Sequence, residues 1–198
     1  MLGETPMPVF QLAITEGQGQ HGKLAATAAA EEGTKDYLLY EENSSVALYV
    51  QQGKTLHPIF FGILTGMQVK TSGKQCMVCL EAVTGSYQMD LHARNRSFQD
   101  TAQTLRQLVE KVMEPYQAQS TVLFSIPDEE LGQIMVQYQE TDWTFLNRIL
   151  SRYGVGAYID SAKPGICLRA GLMDTQESAD WDQLPYRIVR NTALAGAK

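Results

Sequence analysis

Residues 136–159, V-Q-Y-Q-E-T-D-W-T-F-L-N-R-I-L-S-R-Y-G-V-G-A-Y-I, carry start and stop signals for one helix between two strands. Thr141 offers a side-chain oxygen to the free amides of a first helical turn, and Asp142 puts a negative charge at the positive end of the helix dipole. Apolar residues then recur at spacings of three and four, and Gly154 is the residue type expected just past a helix end. The segment predicts a strand, a capped amphipathic helix and a second strand over residues 155–159.

The apolar stripe of this helix is typical of core packing rather than of a binding site. Leu146 and Ile149 share the face that carries Phe145 and Leu150. We therefore expect Leu146 and Ile149 to pack against the two flanking strands.

Composition is that of a soluble chain able to bury a sizeable core, with 198 residues, 44% hydrophobic and 19% charged. A net charge of −6 with scattered lysines and arginines disfavours binding to nucleic acid or to anionic lipid. The longest apolar run, residues 58–64, is too short to span a bilayer, and residues 1–20 lack the pattern of a signal peptide. We expect synthesis in the cytosol and no membrane partner.

Period-two patterns and turn residues dominate the first part of the chain. Strands are predicted at residues 9–14, 46–51, 59–71, 75–83 and 87–92. Many short antiparallel strands with tight turns suggest a small barrel or sandwich.

The middle of the chain carries a second helix signal. Asp100 followed by Gln103 resembles a capping box and predicts a helix start at Asp100. One face of that helix would carry Leu105, Leu108, Val109, Val112 and Tyr116. Beyond it, the sequence predicts a strand and an acidic loop over residues 120–135, and strands at residues 165–170 and 186–190.

The three cysteines, Cys76, Cys79 and Cys167, are an odd number, which favours a reducing compartment. Cys76 and Cys79 have the spacing of redox and zinc motifs. A strand, however, sends side chains three apart to opposite faces, and a zinc site needs a second ligand pair. We expect buried cysteines with no metal or redox role.

No catalytic motif is predicted. His21, His57 and His92 do not have metal-binding spacing, and the common nucleophile, zinc and phosphate-loop motifs are absent from the sequence. The consecutive acids at residues 128–130 resemble paired hydrolase carboxylates only superficially, because neighbouring loop acids point in different directions.

Four arginines, Arg94, Arg96, Arg148 and Arg152, allow two interpretations. They are solvated surface charges, which we favour, or they pair across a subunit boundary with acids such as Glu140 and Asp142.

Four motifs occur in an order that resembles the hub proteins of contractile tails. They are His21-Gly22, Phe-x-Gly-x-x-x-Gly at residues 60–66, Arg-Ser-Phe-Gln at residues 96–99, and residues 137–154. The resembling proteins are baseplate hubs of contractile-tailed phages, their late-control D relatives and the base of the valine-glycine-repeat spike of type VI secretion. The resemblance extends over about residues 8–190. It also places a strand at residues 23–30, where the alanine content alone weakly favours a helix.

The resemblance implies structural rather than catalytic roles for the motif positions. These are Arg96, Phe98, Gln99, Tyr138, Glu140, Thr141, Asp142, Phe145, Leu146 and Arg148. It implies no catalytic residue, no cofactor and no metal.

The fold implied by the resemblance is β-rich α+β in three parts. A small antiparallel β-barrel would occupy residues 1–92, a helix-containing α+β region residues 93–160, and the start of a second β-barrel residues 161–198. Because family members complete that barrel and often continue into an oligonucleotide-fold module and a needle, the chain is expected to be truncated or one piece of a split hub.

The implied function is that of a homotrimeric hub that joins a six-fold tube to a three-fold spike. Its partners would be the tail-tube protein, the spike and other baseplate proteins, in the bacterial cytoplasm before assembly and then in a virion tail or injection-system baseplate. The inner wall of the trimer is expected to be net acidic and not to bind nucleic acid.

Two alternatives stay open. One is the carrier domain of a tail-associated cell-wall hydrolase. The other is a ligand-binding β-barrel module, which would need a concave pocket with converging polar groups.

Overall fold

The computed structural model of the chain describes residues 9–30, 44–72, 75–126 and 128–171. The first five strands are β1 (Val9–Thr15), β2 (Lys23–Ala30), β3 (Ser45–Gln52), β4 (Thr55–Ser72) and β5 (Gln75–Val83). They form one antiparallel sheet in the order β1-β2-β5-β4-β3, which curls into a half-barrel. The strands β1, β3, β4 and β5 were predicted from the sequence pattern, and β2 was predicted from the family resemblance.

The half-barrel is built around β4, which is 18 residues long and has two partners. Its first half pairs with β3, and its second half pairs with β5 from Ile63↔Val83 to Ser72↔Gln75. The register shifts between Leu64 and Gly66, and such bulges bend a strand and increase its twist. A small core on one face of the sheet contains Leu24, Ala26, Phe60 and Ala82.

Residues 85–171 form the second part of the structure, here called the α/β unit. Its strands are β6 (Ala93–Phe98), β7 (Ser120–Phe124), β8 (Met135–Thr141), β9 (Ala157–Ile159) and β10 (Ile166–Ala170), and its helices are α1 (Leu105–Met113) and α2 (Asp142–Arg152). Two 3₁₀ helices, Gly85–Asp90 and Glu114–Gln119, join these elements. β6 pairs with β8, while β10 lies between β7, which is parallel to it, and the antiparallel β9.

The helix predicted after Thr141 is confirmed. The Thr141 hydroxyl oxygen accepts a hydrogen bond from the Thr144 amide at 3.1 Å, and Gly154 has a φ of 69° just past the helix end. Leu146 and Ile149 are fully buried, and α2 packs against β8 and β9. The strand predicted at residues 155–159 is shorter, because β9 begins at Ala157.

The strand predicted at residues 87–92 is wrong. The chain forms the 3₁₀ helix Gly85–Asp90 there, and the Tyr87 amide donates to the Thr84 carbonyl at 3.0 Å. Ser86 and Met89, three residues apart, are the side chains turned inward, so the buried positions follow a helical rather than a period-two spacing.

The predicted start of α1 at Asp100 is also wrong. Thr104 caps the helix, its hydroxyl oxygen accepts from the Gln107 amide, and the Gln107 side chain accepts from the Thr104 amide. Asp100 instead closes a local turn with the Ala102 amide. A second capping box four residues later therefore sets the helix start.

The β-rich α+β fold class is confirmed. The predicted division at residues 92 and 160 stays a prediction, although β10 lies beyond residue 160 and pairs with strands on both sides of α2. The strand predicted at residues 186–190 and most of the proposed second barrel lie outside the described residues.

Candidate functional site

The motif residues meet around the N-terminus of α2, where Asp142 is fully buried. Its Oδ1 accepts hydrogen bonds from Arg96 and from Gln137 Nε2, the latter at 2.9 Å. Its Oδ2 accepts from the Tyr116 hydroxyl at 2.9 Å and lies 3.1 Å from Arg94 Nε. A buried carboxylate is stable only when opposite charges and hydrogen bonds compensate its lost hydration, and these partners supply both.

Gln137 extends the network into the sheet. It is buried, its Oε1 accepts from Arg96 Nε at 2.8 Å, and its Nε2 also donates to the Glu140 carbonyl at 2.9 Å. Arg96, Gln137 and Asp142 thus close a ring of hydrogen bonds that ties β6 and β8 to α2.

The network also perturbs Tyr116. Burial raises the pKa of the Tyr116 phenol above its ordinary value, and the hydrogen bond to Asp142 and the negative charge of its carboxylate raise it further. The hydroxyl therefore keeps its proton and donates to Asp142.

Glu140 of β8 and Arg148 of α2 form a second ion pair, which is more exposed than the pairs of Asp142. Arg148 Nε donates to Glu140 at 3.1 Å, and its guanidinium also donates to the Val136 carbonyl at 2.7 Å. The hydrogen bond to Glu140 raises the pKa of Arg148. This pair fixes α2 to the edge of β8.

The apolar motif residues lie beneath this polar layer. The rings of Phe98 and Phe145 stack with centroids 5.6 Å apart, and Phe145 and Leu146 are fully buried. Gln99 is exposed and its side chain donates to the Ser97 hydroxyl.

Our preferred interpretation of the arginines as solvated charges is wrong for Arg94 and Arg96, which pair with a buried carboxylate, whereas the side chain of Arg148 is paired but 47% exposed. Arg94 and Arg96 pair with Asp142, and Arg148 pairs with Glu140, all within one chain. Arg152 donates to the neutral side chain of Gln133 at 2.7 Å. The acids named as partners were the correct ones, but the pairs hold one subunit together.

Tyr138 is the motif residue that the internal network leaves unexplained. Tyr138 forms an apolar row with Val136 on the outer face of β8 and with Ile134 just before that strand. Tyr138 is 70% exposed, Val136 is 51% exposed and Ile134 is 57% exposed. The next residue, Gln139, has a φ of 50°, and its amide donates to Asn95 Oδ1 at 2.9 Å. We call these three residues the outer row.

A second polar cluster, which the sequence did not indicate, contains Ser86, His21 and Asp90. His21 Nδ1 lies 2.9 Å from Ser86 Oγ, and His21 Nε2 lies 2.9 Å from Asp90 Oδ2. The three residue types are those of a hydrolytic triad, but Ser86 is fully buried and a substrate cannot reach its hydroxyl. Because 65 residues separate His21 from Ser86, no local spacing could have revealed the cluster.

Cys76 and Cys167 are buried, and Cys79 is half-buried. Burial raises the pKa of the Cys167 thiol, and the neighbouring Asp160 carboxylate adds to the shift. Among the residues that the structure describes, no group of three or more His, Cys, Asp or Glu side chains could hold a metal ion. In the same part of the chain, no helix is long and apolar enough to cross a membrane.

The fold is similar to that of solved tail and secretion proteins. One is an E. coli protein described as a component of the type VI secretion system with structural similarity to the T4 bacteriophage tail proteins gp27 and gp5. Its identity is 18%, its TM-score is 0.61, and the alignment covers 84% of this chain and 46% of that one.

Two further structures share the fold. A tail protein from Neisseria meningitidis MC58 has 14% identity and a TM-score of 0.59, with coverage of 82% of this chain and 45% of that one. A 43 kDa tail protein of prophage MuSo2 from Shewanella oneidensis has 14% identity and a TM-score of 0.53, with coverage of 81% and 53%. The chain therefore spans about half the length of each of the three structures.

The half-barrel followed by the α/β unit is thus the fold that the chain shares with these structures. The family model described as phage tail baseplate hub (GPD) matches residues 23–195, and the chain belongs to that family. A comparison with curated proteins gives no match.

Proposed function

We propose that the chain acts as a homotrimeric hub that joins a six-fold tail tube to a three-fold spike. As a member of the phage tail baseplate hub family, it is a structural tail component. The trimer, the tube and the spike as partners, and a location in a virion tail or injection-system baseplate belong to the proposal. The observation that supports the proposed hub is the open half-barrel. Its outer strands, β1 and β3, have no further strand partner among the described residues.

The two outer strands carry exposed apolar side chains, and neither edge has a further strand partner among the described residues. Phe10 on β1 and Tyr49 on β3 are exposed, and both line a groove with Leu12, Leu48 and Val50. Unpaired edge strands are templates for pairing with another chain, and soluble proteins normally cover or charge them. Contact between the edges of neighbouring copies would cover this surface.

A trimer would match the symmetry of both proposed partners. If each subunit contributes two similar barrels, three subunits give six near-equivalent units, which can face a six-fold tube on one side and a three-fold spike on the other. Closed symmetric rings are the usual solution for repeated subunits. The outer row at Ile134, Val136 and Tyr138 offers a separate apolar surface for other baseplate proteins.

Light scattering on the full-length gene product tests the proposal. We expect a trimer that Phe10→Lys dissociates, because the substitution places a charge on the apolar edge. Leu91→Lys is the matched control, since Leu91 is similarly exposed but lies in the α/β unit. A wild-type monomer at tens of micromolar would overturn the trimer. If the Phe10→Lys variant still forms a trimer, the subunit interface does not involve the β1 edge.

The alternatives find less support in the described residues. The Ser86–His21–Asp90 cluster is closed to substrate and does not favour a hydrolase. The groove between β1 and β3 is lined mainly by apolar side chains, with Gln11 and Tyr49 as its polar members, and it lacks the converging polar groups of a ligand site.

A further inference from the structure

The loop between β1 and β2 inserts His21 into the α/β unit. The imidazole ring lies against Trp143 of α2, with centroids 4.7 Å apart, and meets the edge of Tyr87 at 5.8 Å. The side chain is only 10% exposed. A residue of the half-barrel is thus enclosed by side chains of the other unit.

The hydrogen bonds around His21 have one consistent direction when the ring is neutral. A carboxylate only accepts, so Nε2 carries the hydrogen toward Asp90, and Nδ1 accepts from Ser86. Ser86 Oγ lies 2.8 Å from Thr84 Oγ1, which accepts from the Gly22 amide at 3.1 Å. The Thr84 hydroxyl therefore donates to Ser86 Oγ, and the Ser86 hydroxyl donates to His21 Nδ1.

The series ends at the cap of α2. Asp90 Oδ1 accepts from the hydroxyl of Thr141, and the Thr141 oxygen accepts from the Thr144 amide. The hydrogen-bonded path thus runs from Gly22, just before β2, through the His21 ring to the first turn of α2.

Backbone contacts hold the same junction. The Gly19 amide donates to the Ala157 carbonyl at 2.8 Å, and the Phe61 amide donates to the Ser161 carbonyl at 2.7 Å. A Cβ atom on Gly22 would lie 2.8 Å from Thr84 Cγ2, closer than real Cβ contacts. Backbone hydrogen bonds and the close approach at Gly22 therefore accompany the contacts of His21 at this junction.

We propose that His21 is a latch that fixes the half-barrel to the α/β unit, so that the two open and unfold as one cooperative body. Units joined by small, polar contacts move relative to each other by default. A buried and fully paired side chain opposes that motion, because separation would break the hydrogen bonds of Ser86 and Asp90 to the His21 ring. The latch does not depend on the trimer, and its test is separate from that of the hub.

Two measurements on the wild-type protein test the latch directly. Long-range proton–nitrogen NMR at mildly alkaline pH should show the His21 hydrogen on Nε2. Native-state hydrogen exchange should give the most protected amides of β2 and α2 the same opening free energy, as expected of one cooperative unit. A hydrogen on Nδ1, or unequal protection of the two elements, would overturn the proposal.

Variants separate the latch from general stability. His21→Ala should make β2 amides exchange on the order of tenfold or more faster than α2 amides, the fold-change that corresponds to unsatisfied buried partners. His57→Ala is the control, because His57 is an exposed histidine of β4. His21→Gln, which keeps a donor and an acceptor on one planar group, should restore part of the coupling and remains informative if His21→Ala does not fold. Equal acceleration of both elements in His21→Ala and in His21→Gln would refute the latch.

Discussion

At the scale of single residues, Asp142 has two roles. Local sequence signals predicted its place at the helix start, whereas its pairing with arginines was only the less favoured alternative and was expected between subunits. Its place after a capping threonine predicted an acid at the positive end of the helix dipole, and the structure confirms an acid in the first turn of α2. Its pairing with Arg94 and Arg96 depends on contact across 46 residues or more. That contact is decided by how β6 pairs with β8, which no local pattern reports.

Asp142→Asn should lower the free energy of unfolding by roughly 1.5–3 kcal/mol, the range for a hydrogen bond to a charged group. The amide keeps the shape but removes the charge that compensates Arg94 and Arg96. Glu140→Gln is the matched control, and its more exposed pair with Arg148 should contribute only about 0–1 kcal/mol. Denaturant unfolding of both variants measures the difference. Equal losses would show that burial of Asp142 does not set its contribution.

The raised pKa of Tyr116 predicts a loss of stability at alkaline pH. The Tyr116 phenol binds its proton more tightly in the folded state than in the unfolded state, where its pKa is 10.0. Its contribution to stability is therefore complete below pH 10.0 and is lost as the pH rises through the folded-state pKa. The stability difference between wild type and Tyr116→Phe should therefore be constant below 10.0 and shift against the wild type above it. Denaturant midpoints over this range measure it. A difference that does not change with pH would contradict the assignment.

At the scale of elements, local signals predicted α2 and four of the five sheet strands. The strand β2 was predicted only from the family resemblance, and competing signals misplaced two other elements. Asp100 and Thr104 are both plausible caps, and the choice falls on Thr104 because the Leu105 amide donates to the Glu129 carbonyl from a distant loop. Residues 87–92 alternate in polarity, but the chain turns Ser86 inward to reach His21. Tertiary partners override local patterns in both cases.

Leu146→Ala should destabilise the protein by about 2–5 kcal/mol, because Leu146 is fully buried between α2 and the flanking strands. Leu56→Ala is the matched control. Leu56 is 60% exposed, so its truncation should change stability by no more than about 0.5 kcal/mol. Chemical denaturation reports both values, and an unchanged midpoint for Leu146→Ala would remove α2 from the core.

At the scale of the whole molecule, charge is distributed unevenly between the two parts. The five strands of the half-barrel contain Lys23, Lys70 and Glu81 as their lysine and acidic residues and no arginine. The exposed acids at residues 128–130 lie in the α/β unit, next to the start of α1. The acidic loop was recognisable in the sequence, but its position relative to the half-barrel required the fold.

This distribution predicts that the protein does not bind nucleic acid. Its net charge is −6, and Arg94, Arg96 and Arg148 are engaged with acids of the same chain and are not available to phosphates. Acidic side chains repel phosphate over ~8–10 Å at physiological salt and over a longer distance at low salt. The binding test is therefore made at low salt, where electrostatic attraction and repulsion are strongest. Fluorescence anisotropy with short single- and double-stranded DNA at low salt should show no saturable binding. The double variant Glu129→Lys, Glu130→Lys, which reverses the exposed acids, should bind more tightly than wild type. Micromolar affinity of the wild-type protein would rule out a passive, acidic wall and favour a nucleic-acid-binding barrel instead.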